Sequence, residues 1–367
     1  MPISTRAAVM RAFNEPLAVE AITLDDPGPG ELIVRLAATG VCHSDHHIIG
    51  GAFKWTLPLV LGHEGAGIVE QIGPGVRGVA VGDHVVLAWI PSCGHCRFCA
   101  TGRPALCSNR QGVEHPGGPS RMRDEAGGDV HQFLDTSAFA ERVLIREEGV
   151  IPIPADMPLQ SAALVGCAVL TGVGAVTRTA RVEPGTVVAV FGAGGVGLNV
   201  VQGAVLAGAA RIIVVDLNPS ALALARQFGA TDVIDASDPA TGDTAKAVRK
   251  LTGGGADYAF EVIGLPQTIA QAWDSLAPGG RAVVVGLTKP RDQITLRADF
   301  LSEKALLGCI LGSSVPRVDV PRALDLYRRG RLKLDELLTR RYRLEQINDA
   351  LADLQSGAGG RGIIVFD

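Results

Sequence analysis

The sequence predicts an α/β protein in two parts: a β-rich, barrel-like domain, and a doubly wound parallel sheet inserted into it. Three observations carry this. Between residues 6 and 86 the apolar runs are short and cut by Gly and Pro, as in an antiparallel barrel. From Thr186 onward, β-rich apolar runs alternate with helix-like stretches, the pattern of parallel strands buried on both faces. The third is a glycine-rich loop, Gly192-Ala193-Gly194-Gly195-Val196-Gly197, joining the first of those strands to the first helix. At 367 residues the chain is long enough for two separate cores.

In chain order, residues 31–36 read as a strand after the turn former Asp26-Pro27-Gly28-Pro29-Gly30. Residues 65–75 read as a strand ending in a tight turn, and 42–49 as a short helix with polar groups at its start. Beyond a cysteine-rich loop, residues 112–128 are polar and rich in Gly, Pro and Arg, and read as a long surface loop. Strand returns over 136–145, and residues 161–177 read as one small-residue helix. The alternation then runs through strands at 187–191, 211–216, 232–234, 258–262 and 281–285. Its helices fall at 194–207, 219–228 and around Lys246 and Ala272. Two amphipathic helices, 321–329 and 344–355, precede a last strand at 362–366. Because the parallel sheet lies between β-rich ends, the tail is expected to fold back on the first domain. That assigns residues 1–168 and 312–367 to the barrel-like domain and 169–311 to the sheet domain.

Composition excludes several classes. Hydrophobic residues make up 47% and charged ones 20%, as in a globular protein rather than a disordered one. The net charge is −4 with no Lys/Arg tract, which opposes a nucleic-acid or anionic-membrane partner. The start, Met1-Pro2-Ile3-Ser4-Thr5-Arg6, lacks the apolar core of a signal peptide, so the expected location is the cytoplasm. Thiols stay reduced there, and seven cysteines, four of them crowded together, read as ligands or small core residues.

The glycine loop follows the 187–191 strand directly and opens a helix, the context a dinucleotide needs. Gly192 suits the tight turn, Gly194 lets backbone approach a pyrophosphate, and Gly197 lets the helix pack on the strand. The helix N-terminus faces the phosphates. Asp216 ends the next strand 19 residues beyond Gly197, placed to bind a ribose 2′-hydroxyl and to repel a 2′-phosphate. NAD is therefore expected over NADP.

Two metal sites are expected. Cys93, Cys96, Cys99 and Cys107 have the spacing C-x2-C-x2-C-x7-C, which can close a tetrahedron around Zn²⁺ with no open position. Iron–sulfur clusters also use tightly spaced cysteines, but their usual runs differ after the third. Val41-Cys42-His43-Ser44-Asp45-His46-His47, answered by Gly62-His63-Glu64, gathers thiol, hydroxyl, carboxylate and imidazole groups. Cys42 and His63, with Cys167 from the domain junction, form a Cys2His set of the kind that keeps a fourth position open for chemistry. Cys309, in an apolar run, reads as plain core.

Together these residues resemble the zinc-dependent medium-chain alcohol dehydrogenases along the whole chain, with a GroES-like catalytic domain and a Rossmann coenzyme domain. Gly62-His63-Glu64-Gly65-Ala66-Gly67, five residues, then Gly73 is similar to the family's zinc signature. The four-cysteine lobe, the Gly192–Gly197 loop and Ser356-Gly357 … Arg361-Gly362-Ile363 follow in the family's order. The resemblance is closest to its long subgroup, with the alcohol and glutathione-dependent formaldehyde dehydrogenases.

The resemblance implies roles residue by residue. Cys42, His63 and Cys167 match the ligands of the catalytic zinc, Glu64 the nearby acid that assists ligand exchange, and Asp45 the carboxylate on the zinc-binding imidazole. Ser44 and His47 match the proton relay. His43 and Arg361 match contacts to the pyrophosphate, and Thr171, Val285 and Leu287 flank the nicotinamide. Phe53, Trp89, Phe133, Leu134 and Ile310 match substrate-pocket positions and imply an apolar, aromatic or terpenoid alcohol. His46 matches no role and reads as a surface histidine. A homodimer joined at sheet edges is implied.

Some positions depart from the pattern. Glutathione-using members carry acids before Gly-His-Glu and an Arg soon after the lobe. Here the first region is Gly51-Ala52-Phe53-Lys54-Trp55-Thr56 and the later position is Gln111, beside Arg110, which opposes a glutathione adduct. His43 stands where Arg is usual and loses a bidentate donor, and Ala221 stands where the family has a Lys. The expected activity is zinc-dependent oxidation of an alcohol with hydride transfer to NAD. The alternatives are a formaldehyde dehydrogenase acting on another thiol adduct, a nicotinoprotein that keeps its cofactor, and a zinc/nucleotide redox sensor.

Overall fold

A computed structural model describes residues 2–108, 120–357 and 359–366. The parallel sheet has six strands in the order Asp232–Asp235, Arg211–Asp216, Val187–Phe191, Ala256–Glu261, Leu276–Val284, Ala305–Gly308. Every neighbouring pair is parallel. Chain order runs outward from Val187–Phe191 first to one side and then to the other, so the order reverses beside that strand. A doubly wound sheet binds its ligand at such a switch point. The central strands are continuous runs of Val, Ile, Ala and Phe because helices cover both faces, leaving Val188, Val190, Phe191, Ile213 and Phe260 at 2% exposure or less.

The strands in the rest of the chain pair mostly antiparallel, with Leu59–Val60 on Asp129–Gln132 and Leu338–Tyr342 on Arg361–Val365 as parallel pairs. Ile3–Met10, Ala18–Leu24, Met122–Asp124, Asp129–Gln132 and Leu59–Val60 close a small barrel. A second sheet is centred on Glu31–Gly40, which pairs with Glu64–Ile72 on one side and with Arg361–Val365 on the other. The tail therefore does return to the first sheet region. An isolated bridge from Gly194 to Gly360 joins that returning chain to the glycine loop.

Four local expectations change. The helix expected over 161–177 is broken: Leu159–Ala163, a tight turn Leu164–Gly166, then Ala168–Gly174 and a wide turn Ala175–Ala180. The break falls at Cys167 (φ −135°, ψ −71°), where Gly166 packs so closely that a Cβ would lie 2.5 Å from the Leu87 carbonyl. The strand expected from 136 begins at Arg142, because the preceding residues turn through left-handed backbone. The 112–128 loop contributes strand Met122–Asp124 to the barrel, while residues 109–119, with Arg110 and Gln111, lie outside the described residues. The 321–329 helix starts earlier, at Pro316, with Asp319 accepting from the Val315 amide and Pro321 inside it. Among the described residues no single helix is long and apolar enough to cross a membrane; the bent pair Leu159–Gly166 and Ala168–Ala180 reaches that composition only jointly, and much of it packs in the core between the sheets.

Candidate active site and metal centres

The helix His43–Ile49 starts where the strand Glu31–Gly40 ends. Cys42, in extended backbone, precedes the first turn, and Asp45 in that turn accepts from the Cys42 amide at 3.2 Å. Asp45 and Ile48 face inward, whereas Ser44 and His47, three apart, share the other face and line the cleft. His43 is exposed and lines the cleft as well. His46 turns away, 3.1 Å from Gln355 Nε2 on the C-terminal helix, in keeping with a structural histidine.

Asp45 is fully buried and spends its other oxygen on the Gly62 amide at 3.1 Å and His63 Nδ1 at 3.2 Å. With Nδ1 occupied, the second ring nitrogen of His63 is the one free to bind elsewhere. Burial opposes a charge on His63, but Asp45 and Cys42 outweigh it and hold the imidazole well above its ordinary value. Ligand atoms of Cys42, His63, Glu64 and Cys167 lie within 4.8 Å of one another, all buried. Cys42 is held well below the usual thiol range by its hydrogen bond with Cys167, with Arg361 and His63 assisting. Two buried thiols and an oriented imidazole are a soft donor set that suits Zn²⁺, and binding it would displace the His63 proton.

Beneath this cluster Glu64 is fully buried and takes Arg361 Nη2 on Oε1. Its Oε2 and Arg361 Nε have no partner among the described residues. Burial raises the Glu64 carboxyl, and the guanidinium pulls it back. The Arg361 stem runs under the start of the helix Gly195–Ala207, with Cδ 2.1 Å from where a Cβ on Gly195 would stand. Arg361 thus spans from Glu64 to the glycine loop.

At that loop Gly192 takes φ +107°, and a Cβ on Gly197 would lie 2.0 Å from the Gly192 carbonyl. A Cβ on Gly194 would meet nothing within 4 Å, which leaves its face open for a ligand. Asp216 ends its strand and holds the loop: Oδ2 accepts from Ala193 N at 2.6 Å and Oδ1 from Asn218 N at 2.9 Å. The cleft, about 1530 Å³, runs from Asp216, Gly192, Gly194, Gly195, Val196 and Gly197, past Arg361, Thr171, Val285 and Leu287, to Ser44, His47, Cys42, His63 and Cys167. These residues fit an extended dinucleotide whose reactive end meets the metal cluster.

Phe53, Trp89, Phe133, Leu134 and Ile310 also line the cleft. Sequence reasoning missed Trp55, which packs edge-on against Phe133 at 4.9 Å; Phe133 and Trp89 each meet His63 edge-on at 5.9 Å. The aromatic run Phe53-Lys54-Trp55 was the signal that could have found it. Cys309 is corrected from plain core: it is only half-buried, lines the cleft, and sits 3.3 Å from Thr179 Oγ1, with burial pushing its thiol up.

The second cluster stands apart, on the loop Cys93–Cys107. All four sulfurs lie within 4.8 Å, none in a disulfide. Backbone amides of Cys96 and Cys99 point at the sulfurs of Cys93 and Cys96 at 3.4 and 3.5 Å. The Cys99 amide is the main reason the Cys96 thiol falls to about 5. Four sulfurs and amide donors fit a closed zinc site.

Comparison with known proteins agrees with the fold and with zinc and a nicotinamide dinucleotide as cofactors. Residues 28–155 match the family described as "Alcohol dehydrogenase GroES-like domain", and residues 195–329 that described as "Zinc-binding dehydrogenase". The chain is 38% identical over 371 residues to the NDMA-dependent alcohol dehydrogenase of Amycolatopsis methanolica, covering 99% of each. It is 38% identical to the geraniol dehydrogenase of Castellaniella defragrans, covering 99% of this chain and 98% of that one. The benzyl alcohol dehydrogenase of Acinetobacter calcoaceticus superposes over 100% of both chains with a TM-score of 0.91 at 34% identity. A Rossmann sheet joined to a GroES-like barrel, with two zinc-competent clusters, defines a zinc- and nicotinamide-dinucleotide-dependent oxidoreductase. The chain belongs to the zinc-dependent medium-chain alcohol dehydrogenases.

Proposed function

We propose that this alcohol dehydrogenase reversibly oxidises apolar alcohols, aromatic or terpenoid, to the aldehyde or ketone, with NAD as hydride acceptor. The observation that carries the substrate reading is the aromatic lining of Trp55, Phe133 and Trp89 around His63. Cys42, His63 and Cys167 would hold the catalytic zinc, and Cys93, Cys96, Cys99 and Cys107 the structural one. When bound, the zinc supplies Lewis-acid polarisation of the alcohol oxygen, and the nicotinamide a hydride acceptor.

The chain's own residues do the rest. Ser44 Oγ takes up the hydroxyl proton of the alcohol and passes it towards His47. Burial lowers the His47 pKa, so at neutral pH the ring is uncharged and can accept. Asp45 fixes the His63 tautomer, and Glu64 with Arg361 keeps a charged pair at the base of the cleft. Thr171, Val285 and Leu287 flank the nicotinamide, His43 and Arg361 meet the pyrophosphate, and Asp216 holds the ribose and disfavours a 2′-phosphate.

The division into 1–168 with 312–367 and 169–311 is part of this reading, as are the cytoplasm and a homodimer. The dimer is supported by the edge strand Ala305–Gly308, in which Leu306 is exposed, and by the turn just before it, in which Phe300 and Leu301 are exposed. A panel of benzylic, terpenoid and short aliphatic alcohols, each with NAD and NADP, tests the reading. Preference for ethanol, or for NADP, goes against it. The NDMA-dependent relative favours a second reading, an enzyme that retains its cofactor; turnover with NDMA but not with excess NAD would select it.

A further inference from the structure

One wall of the cleft, Phe133 and Leu134, is built by a turn with three left-handed residues in a span of four. Leu134, Asp135 and Ser137 have φ of 52°, 55° and 49°. Residues with a Cβ avoid that region and stay there only where their surroundings over-determine them. On one side those surroundings are hydrogen bonds. Ser137 Oγ accepts from the Phe133 amide and donates to the Val60 carbonyl, both at 2.9 Å. Thr136 Oγ1 reaches the Gly62 and Phe133 carbonyls at 3.1 Å. The turn is thereby tied to the residues just before His63.

The other side is held by charge. Asp135 Oδ2 accepts from Arg146 Nη2 at 2.9 Å, with both side chains more than two-thirds buried. Arg146 ends the strand Arg142–Arg146, which pairs with Glu31–Gly40 in the second sheet, so the anchor is rigid. Burial pushes the Asp135 carboxyl up and Arg146 draws it back, so the carboxylate depends on its partner. Phe133 is the centre of the aromatic contacts, 4.9 Å from Trp55 and 5.9 Å from His63, and any shift of the turn moves it against both.

We propose that Asp135, through Arg146, is a positioning residue that fixes the Phe133–Leu134 wall and so selects flat aryl alcohols over small aliphatic ones. This rests on reading the cleft as an alcohol site. A benzylic ring presents a broad flat face to the wall, whereas ethanol offers it little surface.

The test uses the full chain with zinc: steady-state kinetics on benzyl alcohol and ethanol for the wild type, Asp135→Asn, Arg146→Met, Arg146→Lys and Asp135→Gly, with melting temperature and NADH affinity measured alongside. Asp135→Asn and Arg146→Met are expected to raise KM for benzyl alcohol about tenfold and leave ethanol kinetics and NADH affinity within about twofold. Arg146→Lys, which keeps the charge and is the mildest change, should fall between. Asp135→Gly relaxes the backbone but removes the carboxylate, and should match Asp135→Asn. Wild-type selectivity in Asp135→Gly would mean that backbone conformation alone sets the wall, and overturns the role of the ion pair. An equal loss on both alcohols, or a lower melting temperature with the benzyl-to-ethanol ratio kept, marks a merely structural pair and overturns it too. A wild type that oxidises neither alcohol overturns the reading of the cleft and the proposal with it; an active wild type with an unchanged ratio in both pair-breaking variants overturns the proposal alone.

Discussion

Asp45 binds His63 Nδ1 at 3.2 Å through one oxygen and the Cys42 amide at 3.2 Å through the other. One buried carboxylate thus orients an imidazole and fixes the backbone of the thiol beside it. Asp45→Asn loses the negative charge and one acceptor. Zinc affinity at the catalytic cluster is expected to fall about 10- to 100-fold, measured by competition with a chelator, while the four-cysteine site keeps its metal.

Two glycines of the nucleotide loop are expected to fail in different ways. A Cβ at 197 collides with the Gly192 carbonyl at 2.0 Å, so Gly197→Ala should lower stability by about 1–3 kcal/mol in denaturant unfolding. A Cβ at 194 meets no protein atom within 4 Å, so Gly194→Ala should unfold like the wild type yet bind NADH weakly in a fluorescence titration. Equal NADH affinity in Gly194→Ala would place the pyrophosphate elsewhere.

Asp216 holds the amides of Ala193 and Asn218, and on the proposed reading it also repels a 2′-phosphate. Asp216→Asn is expected to shift the kcat/KM ratio towards NADP by about tenfold or more, since a like-charge contact costs several kcal/mol. Affinity for NAD should drop as well, because Asn offers one acceptor where the loop uses two.

His47 is expected to carry the pH dependence. Burial lowers its pKa from 6.5, with His46 adding repulsion, so the native ring is neutral at pH 7. Because the native value is the lower one, protons below pH 6.5 go first to the unfolded chain, and His47 costs stability as pH falls through that range. The accepting form survives into the same range, so the acid limb of kcat should lie below pH 6.5. His47→Gln should remove that limb and lower kcat about 100-fold, seen in pH–rate profiles of both proteins.

Metal content gives a direct count. Elemental analysis should find two zincs per chain, and Cys107→Ser, which removes a buried sulfur from the lobe, should leave one. The melting temperature should fall, since a closed zinc site contributes folding energy outright.

Much of this site is legible in the sequence. Cys42, His63 and the four lobe cysteines are legible because soft donors at short spacing are rare, and the glycine loop because strand, turn and helix each leave a mark. Cys167 was legible only in company, and its helix break was not, since Gly166 against Leu87 is a contact between distant segments. The left-handed turn at 134–137 carries no Gly or Asn, and Asp135 is its one residue that tolerates such backbone, so little local announces it. Trp55 belongs to the cleft only because it meets Phe133 from another stretch of chain.

Arg361 joins Glu64 across 297 residues, and its neighbour Gly360 bridges to Gly194. The glycine loop and the first sheet therefore await one late strand. Without that strand, Glu64 would stay buried with no guanidinium beside it. Loss of that strand should therefore be felt at both ends of the cleft at once, as a disturbed metal cluster and a loosened glycine loop.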